Sequence, residues 1–247
     1  MSLYYEHKVQ LTGMDADGRG ICKASALLNH LQVAAGFAAE AGGFGRDVLV
    51  EKYGAIWMLA RSWFRLDCPL YWEDDITIRT WHRGAKGAMM YRDYDILVDG
   101  TPVGESVSGW VLASVEDHKM MRLSHIRELA DTDGGELCKS VTLSKLRLPE
   151  GLRPVEKRRM RYSDTDINGH VNNTRYADFA CDAVELDKLE EDQFLSAMQI
   201  GYLAECRPGE LITMETGAQD GKTYVRGLDK GGKSRFEAAL FFGKVVP

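Results

Sequence analysis

The run Ser163-Asp-Thr-Asp-Ile-Asn-Gly-His-Val-Asn-Asn-Thr-Arg-Tyr176 carries Asp164, Asp166, Asn168, His170, Asn172 and Asn173 through one tight loop into an expected helix. A carboxylate, a carboxamide and an imidazole at alternate positions suit acid–base chemistry in which one group orients another. Asp and Asn are also favoured turn and N-cap residues, so the polar run alone leaves a purely structural turn open. Lys157, Arg158, Arg159 and Arg161 form a basic cluster just before it. Such a cluster either guards a strand edge against aggregation or offers a landing site to an acidic partner.

The elements that must position these residues occur twice. Tyr4 to Leu11 reads as a strand, and Ala24 to Ala41 as a helix. Leu27, Leu28, Leu31, Val33, Ala34 and Phe37 fall at helical spacing, and Gly42-Gly43 closes the helix. Strands follow at Ile56 to Leu66, Asp75 to Trp81, Met89 to Val98 and Val103 to Ala113, with Asp99-Gly100 as a hairpin turn. Asp131 to Pro154 is turn-rich and Pro-interrupted and reads as a connection. The order then repeats. A strand at Glu156 to Tyr162 and a polar turn lead to a helix at Asn172 to Leu189, with Val171, Tyr176, Phe179, Ala180 and Val184 facing inward. Strands at Leu195 to Glu205, Glu210 to Ala218, Tyr224 to Leu228 and Ser234 to Phe242 complete the second set, with Gly231-Gly232 in the last hairpin.

Met14-Asp-Ala-Asp17 aligns with Ser163-Asp-Thr-Asp166 at an offset of 149 residues. This fits duplication of a whole α+β unit: residues 1–130, a linker over 131–155, and residues 156–247. At that offset Arg19 and Ile21 stand where the second copy has Asn168 and His170, while Asp17 matches Asp166. A polar set confined to one copy points to an active site in the second half.

Composition sets limits. In 247 residues, 45% are hydrophobic and 28% charged, ordinary for a globular protein. A net charge of -6 argues against nucleic acid as the main partner. Cys22, Cys68, Cys138, Cys181 and Cys206 are odd in number and lack C-x-x-C spacing, which argues against a disulfide framework or a zinc site. No apolar run approaches the roughly 18 residues of a membrane span. A cytoplasmic protein is expected, with no metal and no cofactor.

The motif Asp166-Ile-Asn168-Gly-His170-Val-Asn-Asn173-x-x-Tyr176 resembles that of acyl-ACP thioesterases, the plant fatty-acyl chain terminators and their bacterial relatives. Tyr202-Leu-Ala-Glu205-Cys206 is similar to the family's Tyr-x-x-Glu-Cys element. In the first half, Leu28-Asn-His-Leu-Gln32, Ile56-Trp57, the turn before Ile76, and Trp81 also look like the family, so the likeness runs over roughly residues 3 to 243. It implies an α+β fold, a tandem pair of hotdog domains in which each long helix is wrapped by a curved antiparallel sheet. It further implies hydrolysis of the thioester between a fatty acyl chain and acyl carrier protein. The chain shows no plastid transit peptide, which favours a bacterial setting.

Carried over by position, the implied catalytic set is Asp166, Asn168, His170 and Glu205. Glu205 would act on water as general base, Asp166 would orient Asn168 and His170, and backbone N–H groups from Val171 to Asn173 would receive the oxyanion. Asp166 or Glu205 as nucleophile is a variant, and Cys206 with His170 and Asn168 a thiol alternative. The first half, through its helix and Ile56, Trp57, Met58 and Leu59, is expected to bind the acyl chain. The basic cluster then becomes a docking patch for the acidic carrier protein. An acyl-CoA thioesterase, a non-catalytic acyl-binding protein and, more remotely, a dehydratase are the competing readings. A homodimer is left open.

Overall fold

A computed structural model describes residues 4–123, 126, 139 and 141–245. Ten strands among them form one antiparallel sheet in the order β1-β3-β4-β5-β2-β7-β10-β9-β8-β6. They are β1 Tyr5–Gln10, β2 Ala55–Leu66, β3 Asp75–Lys86, β4 Met89–Val98 and β5 Thr101–Ser114, then β6 Arg153–Arg159, β7 Gln193–Tyr202, β8 Leu211–Gln219, β9 Lys222–Leu228 and β10 Ser234–Lys244. The helices are α1 Ala24–Ala41, α2 Arg46–Tyr53 and α3 Arg175–Ala183. Counted inward from each edge, the order is the same in both halves: β1-β3-β4-β5-β2 and β6-β8-β9-β10-β7. The halves join where β2 pairs with β7, from Arg61↔Gly201 to Arg65↔Ala197. This is the doubled helix-on-sheet unit expected from the repeat.

Helices α1 and α3 hold the core. α1 turns Leu27, Leu28, Leu31, Ala34 and Ala35 inward and packs on β1 and β3. It ends where Gly43 takes a φ of 79°, a left-handed conformation that suits glycine. Val33 and Phe37, two of the apolar residues at helical spacing, are exposed. Tyr176 of α3 lies at 5.9 Å from Phe179, 5.9 Å from Tyr202 and 5.1 Å from Phe236, ring to ring. One continuous apolar cluster runs from Leu27 and Ile78 to Phe179, Met198 and Phe236, so both halves share a core.

Several boundaries differ from expectation for identifiable reasons. α3 is shorter than Asn172 to Leu189. Its start is delayed because Asn172 Oδ1 accepts the Thr174 N–H and hydroxyl at 2.9 and 2.8 Å, an Asx turn outside the helix. Its end comes early because Glu185 has a φ of 52° and a separate 3-10 turn follows at Leu186–Lys188. β7 stops at Tyr202 rather than Glu205, since the Leu203 and Ala204 N–H groups turn to the Arg235 carbonyl. β6 begins before Glu156 and includes Pro154, which an edge strand tolerates. α2 was not anticipated from sequence.

Residues 131–138 and 140 of the expected linker lie outside the described residues. Its described part crosses the sheet's outer face. Lys139 Nζ pairs with Asp95 at 2.7 Å, Arg61 donates to the Leu143 carbonyl at 2.6 Å, and Gln199 to that of Ser144 at 2.8 Å.

Candidate active site

The polar motif is first of all a turn. Gly169 donates to the Asp166 carbonyl at 3.0 Å, and Asp166 N–H to the His170 carbonyl at 3.0 Å. Asp166 Oδ1 accepts the Asn168 N–H at 2.8 Å, while Gly169 supplies a φ of 74°. Each of these features recurs in the first copy. Gly20 donates to the Asp17 carbonyl at 3.0 Å, and Asp17 N–H to that of Ile21 at 2.8 Å. Asp17 Oδ1 accepts the Arg19 N–H at 2.8 Å, and Gly20 has a φ of 76°. The aspartate that both copies retain therefore builds the turn. The residues that differ, Asn168 and His170, are the ones the second turn presents.

Asp166 does not reach the His170 ring. Its second oxygen faces Asn172 Nδ2 at 3.5 Å. The imidazole instead meets Glu205: Nε2 to Oε2 is 3.2 Å, with His170 buried and Glu205 half exposed. The expectation that Asp166 orients His170 is thus replaced by Glu205 in that place. Glu205 stands just beyond β7. Its carbonyl accepts Arg235 Nη1 at 2.8 Å, and Arg235 is itself held by Asp229 at 3.1 Å. The neighbouring Val171 N–H bonds the Cys206 carbonyl at 2.9 Å, so the His170 turn and the Glu205 segment are tied together through their backbones.

A third side chain was not foreseen. His118 Nδ1 lies 3.7 Å from Glu205 Oε1, and its ring stands edge-on to His170 with centroids 6.1 Å apart. It comes from the turn after β5 in the first half, where its φ is 54°. Nothing in the local sequence Glu116-Asp-His-Lys119 distinguishes it from a solvated turn. Only the pairing of the halves brings it to Glu205.

Other expected members are placed differently. The N–H groups of Val171 and Asn172 are already engaged, by Cys206 and Asp164 carbonyls, which removes them as oxyanion donors. Cys206 is fully buried, and burial raises its thiol pKa, so little thiolate forms at neutral pH. Its own N–H donates to the Tyr176 hydroxyl at 3.2 Å. Cys206→Ala should therefore keep turnover within about threefold of wild type, where removing a nucleophile would cost about a thousandfold or more. Steady-state kinetics decide between these. In the basic cluster, Arg158 is neutralised by Asp182 at 2.6 Å and lies 4.6 Å over the Phe179 ring. Lys157, Arg159 and Arg161 remain exposed.

Asn168 links the turn to a cavity of about 660 Å³ beneath α1. Ala35, Ala38, Ala39, Leu49, Ile56, Trp57, Met90 and Trp110 supply its apolar wall. Of the four expected strand residues, Ile56 and Trp57 line this cavity, whereas Met58 and Leu59 do not. Among the described residues no group of three His, Cys, Asp or Glu side chains is placed to hold a metal ion, and no helix is long and apolar enough to cross a membrane.

Comparison with known proteins gives the following. The sequence pattern of the acyl-ACP thioesterase N-terminal domain matches residues 2–128, and that of the C-terminal domain matches residues 153–237. A chloroplastic dodecanoyl-[acyl-carrier-protein] hydrolase of Cinnamomum camphora is 28% identical over 219 residues, covering 80% of this chain and 55% of that protein. A chloroplastic palmitoyl-acyl carrier protein thioesterase of Gossypium hirsutum is 29% identical, covering 80% and 51%. The chain thus spans about half the length of the curated relatives it matches. Among solved structures, an acyl-ACP thioesterase from Bacteroides thetaiotaomicron superposes with a TM-score of 0.85 at 23% identity, over 98% of this chain and 100% of that one. The 12:0-ACP thioesterase of Umbellularia californica superposes at 0.78 with 19% identity, over 99% and 98%. These superpositions show the tandem hotdog fold.

Proposed function

The chain belongs to the acyl-ACP thioesterase family, and from that membership we propose that it hydrolyses the thioester of fatty acyl carrier protein in the cytoplasm, releasing the free fatty acid. The observation that carries this reading is the His170–Glu205 contact at 3.2 Å, next to a turn whose Asn168 borders a cavity of acyl-binding character. Glu205 holds the imidazole in place through the 3.2 Å contact. Water bound at the pair attacks the thioester carbon, and its proton passes to His170 or Glu205. The Asn168 carboxamide donates a hydrogen bond to the carbonyl oxygen as charge develops there. The returned proton leaves with the pantetheine thiolate. His118 braces Glu205 from the first half.

Lys157, Arg159 and Arg161 give an exposed basic margin beside the same turn, suited to an acidic carrier protein. Charge reversal in Lys157→Glu/Arg159→Glu should lower kcat/KM for acyl-ACP about tenfold at low salt, mostly through association, and flatten its salt dependence. Unchanged kinetics across a salt series would remove the patch from docking. The reading as a whole is tested by fatty acid release from a chain-length ladder of acyl-ACPs, with His170→Ala as the blank. Release at the blank's rate for every chain would reject it.

A further inference from the structure

The two turns are built on one frame, and the second carries more than the frame needs. Beyond the bonds around Asp17 and Asp166, the Thr12 N–H donates to Asp15 Oδ2 at 2.8 Å and the Arg161 N–H to Asp164 Oδ2 at 2.7 Å. The Asp15 and Asp164 carbonyls each accept an N–H at 2.8 Å, from Lys23 and Asn172. All these pairs stand at the same offset of 149 residues. At that offset Tyr162 and Ile167 fall opposite Gly13 and Gly18. The frame therefore closes in the first copy with no side chain at either position. In the second copy Tyr162 is 91% exposed and Ile167 87%, so neither side chain buries appreciable surface within this chain.

A single exposed apolar residue needs no explanation. Here two stand on one loop, and they keep company. Lys157, Arg158, Arg159 and Arg161 fall opposite Lys8, Val9, Gln10 and Thr12, so the basic cluster too belongs to the second copy. Asn168 and His170 share that distribution. Ile167 directly precedes Asn168, which borders the cavity, and Tyr162 directly follows Arg161. A thioester that reaches Asn168 and His170 brings the molecule bearing it alongside this loop. Large apolar side chains beside exposed positive charge complement a protein surface that is acidic around an apolar cleft. Charge steers the encounter, while apolar anchors that become buried decide how long the complex lasts.

We propose that Tyr162 and Ile167 are the apolar anchors of the carrier-protein interface. They press into an apolar cleft on the acyl carrier protein, while Lys157, Arg159 and Arg161 face its carboxylates. This rests on the thioesterase reading above. Met14, exposed on the first turn, lies opposite Ser163 with no such basic margin and has no part in the interface.

The test is steady-state hydrolysis of one acyl-ACP by wild type, Tyr162→Ser/Ile167→Ser and Met14→Ser, at low and high salt. The Tyr162→Ser/Ile167→Ser variant should raise KM about tenfold or more with kcat within about twofold, the mark of lost binding with the chemistry intact. The loss should persist at high salt, because apolar burial is not screened as charge pairing is. Met14→Ser should match wild type. A smaller rise in KM overturns the proposal and leaves the thioesterase reading standing. A fall in kcat at unchanged KM overturns it as well, since the side chains would then be supporting the turn. So does an equal loss on the matched acyl-CoA, which would mean contacts to the pantetheine arm that both substrates share. If wild type hydrolyses no acyl-ACP, the thioesterase reading fails on its own. Binding of holo-acyl carrier protein, followed by fluorescence anisotropy, then decides the anchors: a tenfold weaker complex in the double variant keeps them, and equal affinity rejects them.

Discussion

Glu205→Gln should lower kcat for acyl-ACP by about a thousandfold while leaving KM within a few-fold. The amide keeps the size of the carboxylate and can still hydrogen-bond His170 across the 3.2 Å contact, so binding and fold are retained. What it loses is the carboxylate's negative charge beside the imidazole, and with it the capacity to take a proton itself. General acid–base groups contribute about 10²–10⁴ in rate. His170→Ala should match it, and the double variant should be little worse than either, because residues that act as a unit are not additive. His118→Ala, which removes a longer and half-exposed contact at 3.7 Å, should cost about tenfold. Steady-state kinetics on one acyl-ACP check all four. Equal and modest losses at His118 and Glu205 would mean that the carboxylate is only a surface acceptor.

Asp166→Ala and Asp17→Ala should cost similar stability and very different activity. Each aspartate closes its turn with one backbone N–H bond at 2.8 Å to the residue two positions on, and Asp17 takes a second from Ile21 at 3.0 Å. Losing such bonds should lower unfolding free energy by about 1–2 kcal/mol in either variant, read by denaturant titration. Only the second turn carries Asn168 and His170. Its loosening should reduce kcat about a hundredfold, the scale expected when catalytic groups are misplaced by about an ångström. Asp17→Ala should stay within about twofold of wild type. Asp166→Asn keeps an acceptor oxygen for the Asn168 N–H and should recover most of the loss. If Asp166→Asn is as inactive as Asp166→Ala, the Asp166 charge takes part in the chemistry and its role is not confined to the turn.

The same pair of turns shows how far the sequence could be read. The offset between Asp17 and Asp166 was visible, and so was the loss of Asn and His from the first copy. α1 was legible because six buried apolar residues recur on one face and two glycines end it. The Asp99-Gly100 hairpin was legible because both residues take positive φ, at 49° and 80°, as that turn type requires. α3 was drawn too long because an Asx turn at Asn172 and a left-handed Glu185 interrupt a stretch whose composition is otherwise helical. What could not be read were contacts made by tertiary pairing, one within the second half and one across the halves. Glu205 replacing Asp166 beside His170, and His118 arriving from β5, depend on pairing between residues far apart in the chain. Arg158 looked like one of four equivalent charges, yet strand alternation turns it onto Asp182 and Phe179.

The measurement that tests the central claim most directly is the initial rate of fatty acid release from one acyl-ACP and the matched acyl-CoA, each with wild type and Glu205→Gln. The account predicts release from both by wild type, with acyl-ACP favoured in kcat/KM, and near-background rates for both with the variant. Release that survives in Glu205→Gln, or no release from either substrate by wild type, would contradict a hydrolytic site at His170 and Glu205.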